Sequence, residues 1–364
     1  MSVLYPLSRD ATAFEIPTAR GAPAARLDYL LFARPLYAPA VNNVTSTDYP
    51  LIVLVGATAS GKSALALYLA ENLGGEIVNY DSVQVYRGFD IGTGKLPPEQ
   101  RRDVQHHLID FLDPAQDFTA GDFRREALKS LAAICARAKM PILAGGTGLY
   151  LRALLLGLFD GPPRSEELRL RLRHLADRRG REFVHRLLGR LDPASAGRIN
   201  PNELQKVIRA VEVCVLARKE LSALQAQGRT PLKGFRPIKI GLNPDRRLLH
   251  ARINSRVEEM FAAGLVDEVR GMLARPEAGR IKALGSLGYR QVASALRGET
   301  TLQDALYATQ AATRQYAKRQ MTWFRQERDV IWFSAFGDDR EGQAKILEQV
   351  EEMLASKETE VNAS

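Results

Sequence analysis

The sequence predicts an α/β protein: a P-loop-containing parallel sheet flanked by helices, with a helical insertion domain. Short apolar strand patterns alternate with amphipathic helix patterns from residue 49 onward, as in parallel sheets. A G-x-x-x-x-G-K-[ST] motif, the P-loop, stands at residues 56–63 between the first strand and the first helix. The stretch 164–232 is rich in arginine and has helical character without a convincing strand, which indicates the insertion.

The elements follow in order along the chain. We expect the first strand at 51–55 and its helix at 63–73, then a short strand at 76–80. An amphipathic helix at 123–138 leads to a third strand at 140–144. Strand character returns at 238–242, and further helices are expected at 246–263, at about 302–325 and at 340–354.

These elements divide the chain into four parts. The predicted P-loop core combines 49–162 with 237–335, the helical insertion covers 163–236, and 336–364 forms a C-terminal helix and tail. Residues 1–48 contain scattered Pro, Ala and Arg without a strong period, so we expect a poorly ordered extension. Apolar runs such as 154–159 are too short to span a bilayer.

The P-loop predicts a cradle for a polyphosphate. Backbone N–H groups and a helix N-terminus point at the anion, and the lysine neutralises its charge. The loop consists of Gly56, Ala57, Thr58, Ala59, Ser60, Gly61, Lys62 and Ser63. The Ser63 hydroxyl is a candidate Mg²⁺ ligand, or it simply occupies the first turn of the helix. The motif, common among ATP-binding proteins, does not by itself identify the anion.

Two further candidate sites follow predicted strands. Asp81 comes directly after the second strand, and Thr147 lies in the Gly-rich turn 145–148 after the third. Because ligands bind at the carboxyl ends of parallel strands, both residues should lie near the P-loop. Asp81 could bind Mg²⁺, act as a general base, or only form a turn. The Gly-rich turn could approach a ligand or only link strand to helix.

Three other features remain open at this level. His106 and His107 have no third ligand nearby, which favours a structural role over a metal site. Arg252 and Arg256 lie four residues apart on one helix face and could clamp phosphates or form a solvated basic face. The segment 313–325 combines four cations with three aromatic residues, a mixture suited both to RNA binding and to core packing.

The charge of the chain favours a polyanionic partner. The net charge is +9 and the pI about 9.6, an excess that an enzyme of small metabolites does not need. A generally basic proteome would also explain it. Cys135 and Cys214 lie far apart and suit a reducing compartment, so we expect a cytoplasmic protein with no disulfide framework.

Taken together, the motifs closely resemble the tRNA dimethylallyltransferase family, also called tRNA isopentenyltransferases, in its bacterial form. The matching segments occur in the family's order at 56–63, 81–86, 90–93, 106–110, 123–124, 145–150, 288–290 and 317–323. They span about residues 51–333. Ala57 stands where the family usually has proline, a departure at a loop position.

The resemblance implies transfer of a dimethylallyl group from dimethylallyl diphosphate to N6 of an adenosine in tRNA. That adenosine, position 37, lies just 3′ of the anticodon in tRNAs that read codons beginning with U. It further implies that the P-loop holds the diphosphate with Mg²⁺, and that Asp81 is the general base. Thr147 and Arg256 would stabilise the leaving diphosphate together with Lys62.

The resemblance also implies which residues contact the tRNA anticodon stem-loop. They are Asp81, Ser82, Val83, Gln84, Thr147, Arg169, Gln205, Lys206, Val207, Ile208, Arg209, Gly285, Ser286, Leu287, Gly288, Tyr289, Arg290, Lys318, Arg319, Gln320 and Arg325. Most belong to stretches rich in Arg or Lys, as a surface that binds a nucleic acid backbone requires.

Three other functions compete with this reading. An adenylate isopentenyltransferase would use the same loop and Asp81 on a free nucleotide, a small-molecule P-loop kinase would transfer a phosphoryl group, and an RNA-binding protein would have no activity. The arginine-rich insertion favours a polynucleotide acceptor over the first two. The intact Lys62, Ser63 and Asp81 argue against the third. No feature indicates an oligomer or a membrane, so a monomer is the default expectation.

Overall fold

The computed structural model describes the backbone of residues 48–362 and the side chains of residues 48–356. The extension predicted over 1–48 therefore lies, apart from Asp48, outside the described residues. The strands are β1 (Tyr49–Gly56), β2 (Gly75–Asn79), β3 (His106–His107), β4 (Met140–Ala144), β5 (Phe235–Leu242) and β6 (Val330–Phe333). They form one parallel sheet in the order β3-β2-β4-β1-β5-β6, which confirms the predicted fold class.

Helices cover both faces of this sheet and build the rest of the chain. They are α1 (Lys62–Leu73), α2 (Ala120–Ala136), α3 (Gly148–Leu156), α4 (Glu166–Arg179), α5 (Arg181–Leu191), α6 (Pro193–Arg198), α7 (Leu204–Ala217), α8 (Leu221–Ala226), α9 (Arg246–Ala262), α10 (Leu265–Leu273), α11 (Tyr289–Leu296), α12 (Leu302–Phe324) and α13 (Arg340–Asn362). Short 3₁₀ turns occur at Pro98–Gln100, Ala278–Arg280 and Lys282–Gly285.

The central strand β1 shows why the sheet is covered on both sides. Its side chains alternate between two apolar cores, since successive residues of a strand point to opposite faces. Leu51, Val53 and Val55 pack with α2 and α3 on one face. Ile52 and Leu54 pack with α1 and α13 on the other. The continuous apolar run of this strand is therefore fully buried, as parallel strands require.

The arginine-rich insertion is helical, as predicted. Helices α4–α8 pack around an apolar core of their own, to which Val184, Leu188, Val207 and Val211 contribute. We call residues 166–226 the helical segment. Most of its arginines are exposed, and its inner face resembles the core of a small helical bundle.

Candidate active site

The P-loop wraps around the N-terminus of α1 at the carboxyl edge of the sheet. Gly61 caps the helix in the left-handed conformation (φ 90°), which glycine adopts without strain. It offers no capping side chain, so the first-turn N–H groups of α1 remain available to an anion. Lys62 and Ser63 begin the helix and line a cavity of about 560 Å³. That volume lies within the range typical of small-molecule sites.

Lys62 is the buried cation of this cavity. Its Nζ donates to the carbonyl oxygens of Gly56 (3.0 Å) and Ala57 (2.7 Å), which occupies two of its three N–H donors. Burial lowers the pKa of Lys62 to about 7, with a further contribution from the positive charge of Arg256. Asp81 opposes this shift. A lysine with so low a pKa is poised to gain a proton when a negative group arrives.

Asp81 lines the same cavity as the P-loop and follows the end of β2. Its Oδ1 accepts from the backbone N–H groups of Val83 (2.9 Å) and Gln84 (3.3 Å), so one oxygen forms a turn. The carboxylate also lines the cavity. The two readings of Asp81 from the sequence, turn former and reactive carboxylate, are thus compatible.

Thr147 joins the turn after β4 to the turn that carries Asp81. Its Oγ1 accepts from the backbone N–H of Ser82 (3.0 Å) and donates to the Ser82 Oγ (3.1 Å). Neighbouring Gly145 and Gly146 line the cavity. Thr147 therefore holds the Asp81 turn in place, and its predicted contact with a diphosphate stays a prediction.

Arg256 and Arg252 form the basic wall of the cavity. Both side chains line the cavity from α9, which favours the hypothesis that they clamp phosphates over the hypothesis that they form a solvated basic face. Arg256 donates to the Gly94 carbonyl oxygen (3.1 Å), and burial lowers its pKa, as does the charge of Arg252. Arg252 pairs with Asp338 through two hydrogen bonds of 2.7 and 2.5 Å. The wall thus holds one cation bound to a carbonyl and one bound to a carboxylate.

A C-terminal turn packs against the P-loop from outside. The Gly337 N–H donates to the Ser60 carbonyl oxygen (2.8 Å). A Cβ on Gly61 would lie 2.6 Å from the Gly337 nitrogen, so two glycines are needed for this approach. Phe336, in the same turn, packs with Ala57 and Ala59. The loop is therefore supported by residues more than two hundred positions later in the chain.

The loop 90–95, which forms another wall, is held by Glu268 of α10. This carboxylate accepts from the backbone N–H groups of Asp90 (3.0 Å), Ile91 (2.8 Å) and Gly92 (3.2 Å). The hydroxyl of Tyr289 donates to the same carboxylate (2.5 Å). One acidic side chain thus connects two of the family motifs, 90–93 and 288–290.

Four of the residues predicted to contact tRNA have buried side chains. Val207 and Ile208 are fully buried in the core of the helical segment, and Tyr289 is fully buried beside Phe89. Gln320 is 5% exposed and faces the cavity. The periods of α7, α11 and α12 turn these side chains away from the solvent, so their contact with tRNA stays a prediction, which for Gln320 would require a nucleotide that enters the cavity.

Arg169 is also engaged inside the protein. It forms two hydrogen bonds of 2.8 Å with Glu212, a side chain with no exposed surface. Glu212 further accepts from Arg209 (2.6 Å) and from the Ser165 N–H (2.8 Å). Burial raises the pKa of Glu212, but these hydrogen bonds outweigh it and bring the pKa to about 2. Arg169 and Arg209 thus balance a buried carboxylate, which reduces what they can offer to phosphates.

Most of the remaining predicted tRNA contacts are at least partly exposed. Exposed members are Gln205, Lys206, Gly285, Arg290, Lys318, Arg319 and Arg325. Half-buried members are Ser82, Val83, Gln84, Ser286 and Leu287, whereas Gly288 is buried at the start of α11. Ser82 and Gln84 belong to the turn of Asp81, and Gln84 lines the cavity. Contact of these residues with tRNA stays a prediction.

The two histidines have structural contacts. His107 pairs with Glu76 (2.7 Å), which also binds Arg137. His106 lines the cavity with its Nδ1 2.8 Å from the Val104 carbonyl oxygen. Within residues 48–356, no group of three His, Cys, Asp or Glu side chains could hold a metal ion. A metal here would depend on Ser63 and on the oxygens of a bound ligand.

Two residues of this site were not predicted from the sequence. Glu268 stands in the first turn of α10, where an acidic residue is ordinary and points to no partner. Tyr316 lines the cavity, and its hydroxyl donates to the Gly146 carbonyl oxygen (3.3 Å). Its spacing from Thr313 and Gln320 follows the buried stripe of α12, which could have identified it.

Comparisons with known proteins agree with the geometry. The IPP transferase family model matches residues 84–327. A tRNA dimethylallyltransferase of Koribacter versatilis (strain Ellin345) is 54% identical over 294 residues, covering 80% of this chain and 95% of that protein. One from Solibacter usitatus (strain Ellin6076) is 50% identical over 305 residues, covering 84% and 99%.

Solved structures show the same fold. The full-length tRNA isopentenylpyrophosphate transferase of Bacillus halodurans superposes with a TM-score of 0.63 at 32% identity, covering 87% of this chain and 100% of that one. A eukaryotic dimethylallyltransferase acting on tRNA gives a TM-score of 0.72 at 24% identity, covering 85% and 80%. The latter likeness concerns the fold.

Proposed function

This chain belongs to the IPP transferase family, and from that membership we propose that it is a tRNA dimethylallyltransferase. It transfers the dimethylallyl group of dimethylallyl diphosphate to N6 of adenosine 37 in tRNAs that read codons beginning with U. The products are N6-(dimethylallyl)adenosine and diphosphate. The enzyme is a prenyltransferase, not a phosphotransferase.

The observation that carries this proposal is the convergence of three groups on one cavity. Lys62, Asp81 and Arg256 come from the P-loop, the end of β2 and α9, and all line the same space. Two cations suit a diphosphate that gains negative charge as it leaves. A carboxylate in the same cavity suits an acceptor that must lose a proton.

The proposed step forms one bond and breaks another. The N6 nitrogen of adenosine attacks C1 of the dimethylallyl group, and the bond from C1 to the diphosphate oxygen breaks. Asp81 takes the proton that N6 loses. Lys62 and Arg256 bind the departing diphosphate, which carries away the electron pair. The adenosine must leave the anticodon-loop stack to reach a cavity below the surface.

The site also fits the Mg²⁺ that we expect as a cofactor. Mg²⁺ is usually held by one or two protein oxygens, by phosphates and by water, rather than by a full protein cage. The Ser63 hydroxyl lines the cavity beside the P-loop and would supply such an oxygen, which leaves Asp81 free to act as the base. When bound, the ion would neutralise part of the diphosphate charge.

The proposed acceptor is the anticodon stem-loop of tRNA. Exposed cations at Lys206, Arg290, Lys318, Arg319 and Arg325 support it, because neutralised phosphates supply most of the binding energy for nucleic acids. The net charge of +9 points the same way. We further propose a monomer in the cytoplasm, where the free Cys135 and Cys214 stay reduced. No helix within residues 48–362 is long and apolar enough to cross a bilayer.

One assay tests the proposal against its alternatives. Radiolabelled dimethylallyl diphosphate is supplied with total tRNA, with AMP, or with neither, in the presence of Mg²⁺. We expect label in tRNA only. Label in AMP but not in tRNA would establish an adenylate isopentenyltransferase instead. Phosphorylation from ATP without prenyl transfer would establish a kinase.

A further inference from the structure

Gln320 connects two walls of the cavity from the inside. It lies on α12, is 5% exposed and lines the cavity. Its Oε1 accepts from the backbone N–H of Thr58 in the P-loop (2.7 Å). Its Nε2 donates to the Gly146 carbonyl oxygen, after β4 (2.9 Å). Both hydrogen-bonding ends of the amide are therefore satisfied by backbone groups from two different strand ends.

The family resemblance assigns this position to tRNA, but the helix geometry separates it from the surface. Residues two positions apart on a helix point about 200° away from each other. Lys318 is accordingly exposed, whereas Gln320 faces the protein interior. A phosphate backbone that contacts Lys318 therefore lies on the opposite side of α12 from the Gln320 amide, and only a nucleotide that enters the cavity could approach that amide.

The contacts of Gln320 join the donor and the acceptor halves of the site. Thr58 belongs to the phosphate-binding loop, and Gly146 precedes Thr147, which holds the Asp81 turn. A Cβ on Gly146 would lie 2.7 Å from the Gln320 Nε2 and 3.1 Å from the Asp81 Oδ2. This crowding places the amide within a few ångströms of the reactive carboxylate.

We propose that Gln320 is a positioning residue of the donor site, because both ends of its amide are held by backbone groups from two different walls. It fixes the distance between the P-loop and the Gly146 turn, so that the diphosphate and Asp81 face each other at a set separation. This inference deepens the proposed function and rests on it. A buried glutamine suits the role because it donates to one backbone and accepts from the other, which a carboxylate or an apolar side chain does not do.

The first test compares two residues of the same helix. Gln320→Met keeps the volume but leaves a buried N–H and a buried carbonyl oxygen without partners. We expect its dissociation constant for inorganic diphosphate with Mg²⁺, measured by calorimetry, to rise about tenfold. The KM for dimethylallyl diphosphate should rise with it, and tRNA affinity should stay within about twofold of the wild type.

The matched control is Lys318→Ala. It should bind diphosphate as the wild type does. Its tRNA affinity should fall, and the slope of that affinity against salt concentration should decrease by about one. Gln320→Met should thus weaken binding of diphosphate, and Lys318→Ala should weaken binding of tRNA.

The second test uses pH to separate positioning from folding. In Gln320→Glu, the ionised carboxylate still accepts from Thr58 but cannot donate to Gly146, and it places a negative charge near Asp81. Protonation restores the donor. We therefore expect its diphosphate affinity, relative to that of the wild type, to recover as the pH falls from 8 toward about 5. A variant that merely folds badly would not recover in this way.

Two results would overturn the inference. One is a Gln320→Met protein that binds diphosphate normally but loses tRNA affinity, which would return Gln320 to the RNA interface. The other is an equal loss of both affinities together with a lower melting temperature and no pH recovery in Gln320→Glu. Failure of the wild type to prenylate tRNA would instead refute the proposed function.

Discussion

The cavity and the helical segment use buried charge in opposite ways. In the cavity, Lys62 and Arg256 donate to backbone carbonyl oxygens. Burial lowers the pKa of both residues. In the helical segment, the buried Glu212 is balanced by Arg169 and Arg209. Buried cations that are bonded only to neutral carbonyl oxygens favour binding of an anionic ligand. Buried cations that are paired with a carboxylate hold helices together instead.

Basic residues of these two kinds look alike in the sequence: some are available to a ligand, and others are already paired with a buried carboxylate. Changes in the cavity should alter chemistry and donor binding with little effect on the fold. Changes in the helical segment should alter stability or tRNA binding and leave the donor site unaffected. Four experiments test that division.

The largest effect is expected at Asp81. Asp81→Asn keeps an oxygen for the turn but removes the base, so single-turnover prenylation should slow by about 10²–10⁴-fold. Affinity for tRNA and for diphosphate should not fall, because the turn remains. Asp267→Asn, on an exposed carboxylate of α10, serves as the control and should react normally. A rate for Asp81→Asn near that of the wild type would remove Asp81 as the base.

Next in size is the loss of the buried carboxylate in the helical segment. Glu212→Gln leaves Arg169 and Arg209 without their charge partner, which should lower the free energy of unfolding by about 3 kcal/mol. Denaturant titration measures it. Glu167→Gln, from an exposed pair with Arg171, should cost less than about 1 kcal/mol. Weakened diphosphate binding in Glu212→Gln would show that the two regions are not independent.

The pH dependence of donor binding gives a smaller effect. The pKa of Lys62 is lowered to about 7, and a bound diphosphate should raise it. Below pH 7 the lysine is already charged, so its contribution to binding is fully present. Above pH 7 binding takes up a proton, and the affinity should fall about tenfold per pH unit until the pKa of the complex is reached.

Lys62→Arg is the control for this titration, because arginine stays charged and removes the proton uptake. Calorimetry at pH 8 in two buffers of different ionisation enthalpy counts the protons. The variant also corrects for any proton that the diphosphate itself gains. Equal proton uptake by both proteins would mean that Lys62 does not titrate on binding.

The smallest effect is expected on the outside of the helical segment. Lys206 is exposed and pairs only with the exposed Glu203 among the described residues. Lys206→Ala should weaken tRNA binding a few-fold and reduce its salt slope by about one, without changing the unfolding free energy. Filter binding over a salt series measures both. An unchanged slope would place the tRNA elsewhere.

Much of the sheet was predictable because its strands carry long apolar runs. β1 and β4 were found nearly to the residue, but β5 begins at Phe235, three residues earlier than predicted. Pro237 lies in that early part and pairs only with β1, because pairing with β6 starts at Lys239. A proline without an N–H is tolerated there. The sequence pattern alone does not show which edge of β5 lacks a neighbouring strand at Pro237.

The rest could not be predicted for two physical reasons. β6 is only four residues long, and although all four residues are apolar, so short a run is not enough to predict a strand. The inward turn of Gln320 depends on which face of α12 meets the sheet, and that is decided by packing across more than 260 residues of chain. Motifs identified the site residues, but only the fold separated those that face the cavity from those that face the solvent.

The contact of Gly337 with the P-loop has a consequence for the order in which the protein is made. Synthesis proceeds from the N-terminus, so the loop at residues 56–63 leaves the ribosome long before Gly337 does. A nascent chain therefore carries every phosphate-binding residue while the Ser60 carbonyl still lacks its final partner. The donor site therefore reaches its finished shape only after residue 337 has been made.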